Sequence, residues 1–182
     1  LAGPEDLAYA RHLYALSAEF YKRLRDPVSR ASSEKQRAEI VRLGSKEDRA
    51  EAKRIYRQVM QTYKRKGLKR AYGDVLLQLG KTYQDEHGYK HALKRFQEYE
   101  ETQRKLGLER EEAIAWKQQG EIYQEPGYRG RSARRAIELY SRALERLRTY
   151  GDRWSRRTVI SALLRRGEAY LELGQREPAA AD

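Results

Sequence analysis

Shifted by 40 residues, the chain lands on itself, and this period constrains its fold more than any other feature of the sequence. Ala52 falls on Ala92, Tyr56 on Phe96, Val59 on Tyr99, Gly67 on Gly107 and Leu68 on Leu108. The register continues with Leu76 on Trp116, Gly80 on Gly120 and Tyr83 on Tyr123. A period of this size is the mark of stacked supersecondary units that bury their apolar faces on one another. A third copy follows with two small insertions. Gly80 to Ala92 and Gly167 to Ala179 are both 12 positions, whereas Gly120 to Ala136 is 16. Gly67 to Gly80 and Gly107 to Gly120 are 13, and Gly151 to Gly167 is 16. The additions fall beside expected turns, where stacked repeats tolerate them.

Within a unit the apolar spacing is helical. Tyr72, Val75, Leu76, Leu79, Gly80 and Tyr83 lie at i, i+3, i+4, i+7, i+8 and i+11. Ala52, Ile55, Tyr56, Val59, Met60 and Tyr63 repeat that stripe, as do Ala136, Leu139, Tyr140, Ala143, Leu144 and Leu147. A half-buried strand would alternate with period 2, and none of these segments does. Each unit therefore reads as two helices. Gly67, Gly107 and Gly151 stand just past the second helices, where a left-handed cap is expected. A glycine within the first helix costs about 1 kcal/mol against alanine, so its recurrence implies a partner packed too closely for a side chain.

Here the sequence resembles the tetratricopeptide repeat family. Its pattern of Trp or Leu, Leu-Gly and Tyr on the first helix, then Ala, an aromatic and Ala on the second, is met by Leu76, Leu79-Gly80, Tyr83, Ala92 and Phe96, with Tyr99 in place of the last Ala. The next unit has Trp116, Gly120, Tyr123, Ala136, Tyr140 and Ala143, with Gln119 departing from Leu. The last has Leu163, Gly167, Tyr170 and Ala179, with Arg166 departing. The 40-residue period is similar to the long-repeat variants such as kinesin light chains. The resemblance implies an all-α fold, an α-solenoid of antiparallel helix pairs in a right-handed superhelix, working as a protein-interaction module.

The expected organisation is an N-terminal helix over 1–24, an insertion or short helix over 25–49, and repeats over 50–182. These divide into a second helix at 50–66, units at 68–106 and 108–150, and a shortened unit at 153–182. Residues 4–24 are read as a divergent first helix, with Leu16-Ser17 for Leu-Gly and Phe20 for Tyr. The segment 25–48 is then a partly ordered insertion, with a short helix around 34–43. The last unit breaks off early in its second helix, so the chain is expected to be part of a larger protein or to be completed by another chain.

Composition narrows the function classes. Apolar residues make up 39% and charged residues 36%, the balance of amphipathic helices with wide wet faces. No apolar run approaches the roughly 20 residues of a membrane span. The chain has no Cys and no Asn and one Met, a bias produced by thermophily or by a GC-rich genome. A cytoplasmic location is expected.

Signals for catalysis are weak. His12, His87 and His91 are the only histidines, and Gly88 divides the last two at an expected turn, so no metal site is assigned. Gly80-Lys81-Thr82 imitates the end of a phosphate loop, but Val75 occupies the place of the required earlier glycine. No enzyme activity and no cofactor are expected.

The resemblance places binding residues on the first helices beside the packing positions. These are Gln78, Lys81, Gln84 and Asp85 in one unit; Lys117, Gln118, Glu121, Gln124 and Glu125 in the next; and Arg165, Glu168 and Glu172 in the last. Members that bind chaperone tails use Asn side chains in a carboxylate clamp, and this chain has none.

Charge supplies two rival readings. From 53 to 70 there are eight bases and no acid: Lys53, Arg54, Arg57, Lys64, Arg65, Lys66, Lys69 and Arg70. From 129 to 166 twelve arginines, among them Arg129, Arg131, Arg134 and Arg135, face three acids. The intervening 98–125 is acidic, with eight Glu against four bases. Such blocks suit an acidic protein or peptide. They also suit RNA or DNA held on patches 53–70 and 129–157, with Tyr63, Tyr128 and Tyr150 stacking on bases, or head-to-tail self-association.

Overall fold

The structure, a computed structural model, describes residues 3–176 and 178. Among the described residues there are eight helices and no strand: α1 (Pro4–Arg23), α2 (Pro27–Val41), α3 (Lys46–Arg65), α4 (Lys69–Asp85), α5 (Tyr89–Lys105), α6 (Glu109–Gln124), α7 (Ala133–Leu147) and α8 (Arg153–Glu172). None is long and apolar enough to cross a membrane. The chain divides into two compact units, Leu1–Glu86 and His87–Asp182. Ala179 and the rest of the last helix expected from the sequence lie outside the described residues.

In the first unit α1 packs on α2, α2 on α3 and α3 on α4. The ends of these helices are set locally. Asp26 accepts from the amides of Val28 and Ser29 at 3.0 Å and opens α2, with Pro27 at its first position. Ser45 and Asp48 cap α3 reciprocally: Asp48 N donates to Ser45 Oγ at 3.1 Å and Ser45 N to Asp48 Oδ2 at 3.0 Å. Arg11 of α1 then reaches Asp48 at 3.1 Å and Glu51 at 2.8 Å, while Arg37 of α2 reaches Glu51 at 3.4 Å, so one carboxylate ties three helices together. The interior of α3 is the stripe read from the sequence, with Ala52, Ile55, Tyr56, Val59, Met60 and Tyr63 all buried.

Turn geometry corrects the phase of the N-terminal third. Gly67 and Gly107 hold φ of 69° and 67°, and the following amides donate to Tyr63 O at 2.9 Å and Gln103 O at 3.0 Å. This double turn is the usual glycine stop of a helix. Arg25 adopts the same left-handed conformation, φ 55°, and Asp26 N donates to Tyr21 O at 3.0 Å. Thus α1 ends as the second helices end, and α2 starts where first helices start. The residues matched to Leu-Gly and Tyr on α1 do not play those parts: Leu16 is 54% exposed and Phe20 58%.

The segment read as an insertion is therefore largely α2, a helix of the repeat. Aligned at their first residues, α2 carries Ala31 and Ala38 where α4 has Gly73 and Gly80 and α6 has Ala113 and Gly120. Alanine preserves the small packing surface without the glycine signal. Gly151 departs from expectation in the other direction. It is absent from the positive-φ positions, and α8 is opened by Asp152, which accepts from the amides of Trp154 and Ser155 at 3.0 Å.

In the second unit α5, α6, α7 and α8 pack in sequence order, and α6 also touches α8. Gly120 shows why its helix excludes a side chain. A Cβ there would lie 2.8 Å from Cε1 of Tyr140 on α7. The two polar departures from the repeat pattern are satisfied internally. Gln119 donates to Glu100 at 2.7 Å, beside a bond from Trp116 Nε1 to the same carboxylate at 2.9 Å. Arg166 donates to Ser141 Oγ at 3.0 Å.

Candidate functional site

The polar face of α6 and α8 is the best-built candidate surface in the second unit. Glu121 accepts from Lys117 and from Gln118, both at 2.6 Å, along one turn of α6. On the neighbouring α8, Arg165 pairs with Glu168 at 3.0 Å. Partial burial opposes the charge on Arg165, but its bond to Glu168 and the nearby charge of Glu121 outweigh that effect and raise the guanidinium above its ordinary value. Charges from two first helices thus act on one another across a single surface.

Two of the residues expected to bind a ligand do other work. Gln124 is 9% exposed; its Oε1 accepts from Tyr140 Oη at 2.7 Å and its Nε2 donates to Arg165 O at 3.0 Å, bracing α6, α7 and α8 together. Gln118 is 6% exposed and spends its amide on Glu121. Glu125 caps the end of α6 and is half-buried, whereas Glu172 pairs with Arg131 at 2.9 Å. Burial drives the Tyr140 hydroxyl far above the ordinary phenol range, so it remains a donor.

In the first unit Gln78, Lys81 and Gln84 are half-buried on α4. Asp85, at the end of that helix, is held by Arg42 at 2.6 Å. The basic block 53–70 separates into two parts. Lys53 is paired with Glu86 and lies 5.4 Å from the Tyr83 ring centre, and Arg57 donates to Tyr83 Oη at 2.8 Å. Lys64, Arg65, Lys66, Lys69 and Arg70 are exposed around the α3–α4 turn, and Arg54 is exposed on α3.

The second basic block is similarly mixed. Arg129 and Arg134 are exposed, while Arg135 lies 5.5 Å from the Tyr123 ring centre. Two of the three aromatic residues expected to stack on bases are poorly placed for it. Tyr63 is buried, and Tyr128 packs edge-on against Tyr89 and Tyr123.

Among the described residues no three His, Asp or Glu side chains cluster as a metal site would require. His87 sits in the turn before α5 with φ 58° and shares a 2.7 Å bond with Tyr89 Oη.

Sequence reasoning missed a second feature, the groove between α2 and α3. Its floor is Ala31, Ile55 and Val59, and its rim carries Arg30, Gln58 and Arg65. The missing signal was Glu34, which stands where Leu76 and Trp116 stand, and which becomes legible once α2 is aligned as a first helix.

These helix pairs define a tetratricopeptide-like repeat protein. Three solved structures similar to it are distant in sequence. BtubC (BKLC) from P. vanneervenii superposes with a TM-score of 0.81 at 18% identity, covering 97% of this chain and 70% of that one. A kinesin-light-chain-like protein of Podosopora anserina with nearly identical TPR-like repeats gives 0.63 at 16% identity, covering 100% of this chain and 93% of that one. A single-substitution variant of it gives 0.70 at 17% identity, with 97% and 81% covered. At these identities the likeness shows the fold. No protein-family model matches the sequence. No curated protein matches it by sequence.

Proposed function

We propose that the chain is a non-catalytic interaction module that binds a peptide or protein segment on the polar face of its first helices. The observation that carries this reading is the contact of α6 with α8, which brings Lys117, Glu121, Arg165 and Glu168 onto one surface of alternating charge. Such a surface suits a helical or extended segment of mixed charge, held by hydrogen bonds and ion pairs of defined register. In the first unit, Gln78, Lys81, Gln84 and Asp85 form the corresponding set. The tetratricopeptide-like repeat fold is compatible with such a module.

Photo-crosslinking tests the proposal. A photoreactive residue at Glu168 is expected to capture a defined protein in cells, and Lys117→Glu with Arg165→Glu is expected to abolish capture. An adduct pattern unchanged by that double substitution would refute it.

A further inference from the structure

We propose that the groove between α2 and α3 is a second docking site, for a protein segment that carries an aliphatic side chain flanked by carboxylates. It lies within the first unit and involves none of the α4, α6 or α8 residues of the interaction face. Three observations converge on it.

The first is its shape. The groove holds about 330 Å³, within the range of ligand sites, and is open on one side to solvent; its base is formed by Ala31, Ile55 and Val59, which are themselves only 2–5% exposed. The exposed Pro27 ring and the aliphatic stems of Arg30 and Arg65 leave room beside them for one aliphatic side chain.

The second is its charge. Arg30 and Arg65 are exposed on opposite walls. Arg65 uses only Nε, at 3.4 Å from Gln61 O, and leaves its terminal nitrogens to solvent. The acid of the groove, Glu34, is already taken by Arg37 at 2.9 Å, so the rim faces a ligand with net positive charge. Guanidinium forks match carboxylates, and the carboxamides of Gln58 and Gln61 can meet a peptide backbone. No aromatic ring lines the groove, so it offers a nucleic acid no surface on which to stack a base.

The third is a comparison within the molecule. At the corresponding place between α6 and α7, Trp116 stands where Glu34 stands, and Arg142 lies 4.1 Å from its ring centre. Glu109 and Arg146 close the mouth with a 2.6 Å pair, where the first unit has Pro27 and Thr62. The repeat therefore fills this groove in one unit and leaves it open in the other.

The test uses fluorescence anisotropy of the full chain with a fluorescein-labelled peptide of six Glu-Leu repeats, and with its Gln-Leu counterpart. The Glu-Leu peptide is expected to bind at least tenfold more tightly, a difference of about 1.4 kcal/mol. Arg30→Gln with Arg65→Gln should weaken it at least tenfold. Glu34→Trp, which plugs the groove as Trp116 does, should abolish binding with the helical circular dichroism unchanged. Lys117→Glu with Arg165→Glu should leave binding as it was, which separates this site from the α6–α8 face. Equal binding of the two peptides, or no binding at millimolar concentration, would overturn the proposal. So would indifference to the paired Arg substitutions, which decide the matter should Glu34→Trp fail to fold. Displacement of the peptide by a random single-stranded oligonucleotide would reassign the groove to polyanions and equally overturn it.

Discussion

The groove between α2 and α3 and its counterpart between α6 and α7 are built on the same repeat, yet one is open and the other is filled. In the second unit Trp116 joins Ala113, Ala143 and Leu147 in a buried cluster, with Leu139 packed against it. Its indole nitrogen and Gln119 share the Glu100 carboxylate, so the polar groups that accompany the tryptophan are satisfied. In the first unit Glu34 at the same place turns to Arg37, and the space above Ile55 and Val59 stays empty of side chains. One residue type at one repeat position thus decides whether a helix pair is a structural brace or a surface with a cleft. Repeat position is shared; occupancy is not.

The largest effect is expected from making the second unit resemble the first. Trp116→Glu removes a buried ring, takes one of two donors from Glu100 and places a carboxylate in an apolar cluster. A loss of about 3–5 kcal/mol is expected, read from urea denaturation. Gly120→Leu comes next. Its side chain would meet the Tyr140 ring, which already lies 2.8 Å from a single added Cβ, and overpacking of about 1–3 kcal/mol follows. The counterpart in the first unit sharpens this contrast. Ala38 is buried where Gly120 stands, so Ala38→Gly should cost about 1 kcal/mol through helix propensity, and a gain in stability there would break the proposed register of α2.

A stabilising change is expected at Gln103. This side chain is buried in the second unit, neither end of its amide has a hydrogen-bond partner, and Leu147 and Tyr63 occupy the same repeat position. Gln103→Leu should raise stability by about 1 kcal/mol, measurable as a higher Tm.

The smallest effect is electrostatic. In both units an aspartate opens a helix and titrates below the ordinary carboxylate value. For Asp26 the bonds from the Ser29 side chain and amide hold it down, and for Asp152 those from Ser155. A depressed folded value means that the contribution is complete near neutrality and is lost as the pH falls through that value, below about pH 4. Asp152→Ser keeps a cap that does not titrate, and it should flatten the acid limb of a Tm-against-pH curve. An unchanged limb would remove Asp152 from the account.

Much of the fold was legible because helix formation and repeat spacing are local or nearly so. The stripes from Ala52 to Tyr63 and from Ala136 to Leu147 carry their burial in their spacing, and both are buried as read, apart from the half-buried Leu139. Legibility failed where a residue other than glycine did glycine's work. Arg25 takes the left-handed turn and Ala38 the close-packing place, so α1 and α2 carried no signature of their phase. It also failed at polar residues. Gln78 and Gln124 look alike in sequence, but only Gln124 is called upon to satisfy a buried tyrosine and a backbone carbonyl.

By itself, the amino-acid sequence determined that this chain is a stack of helix pairs with a 40-residue period, since a period of apolar and small residues dictates which faces must be covered. The tertiary structure alone decided which helix partners which at the N-terminal end, which glutamines brace the core, and which of two equivalent grooves stands open. Those outcomes depend on the shape and charge of side chains far apart in sequence, and on whether a neighbour is large enough to fill the space between two helices.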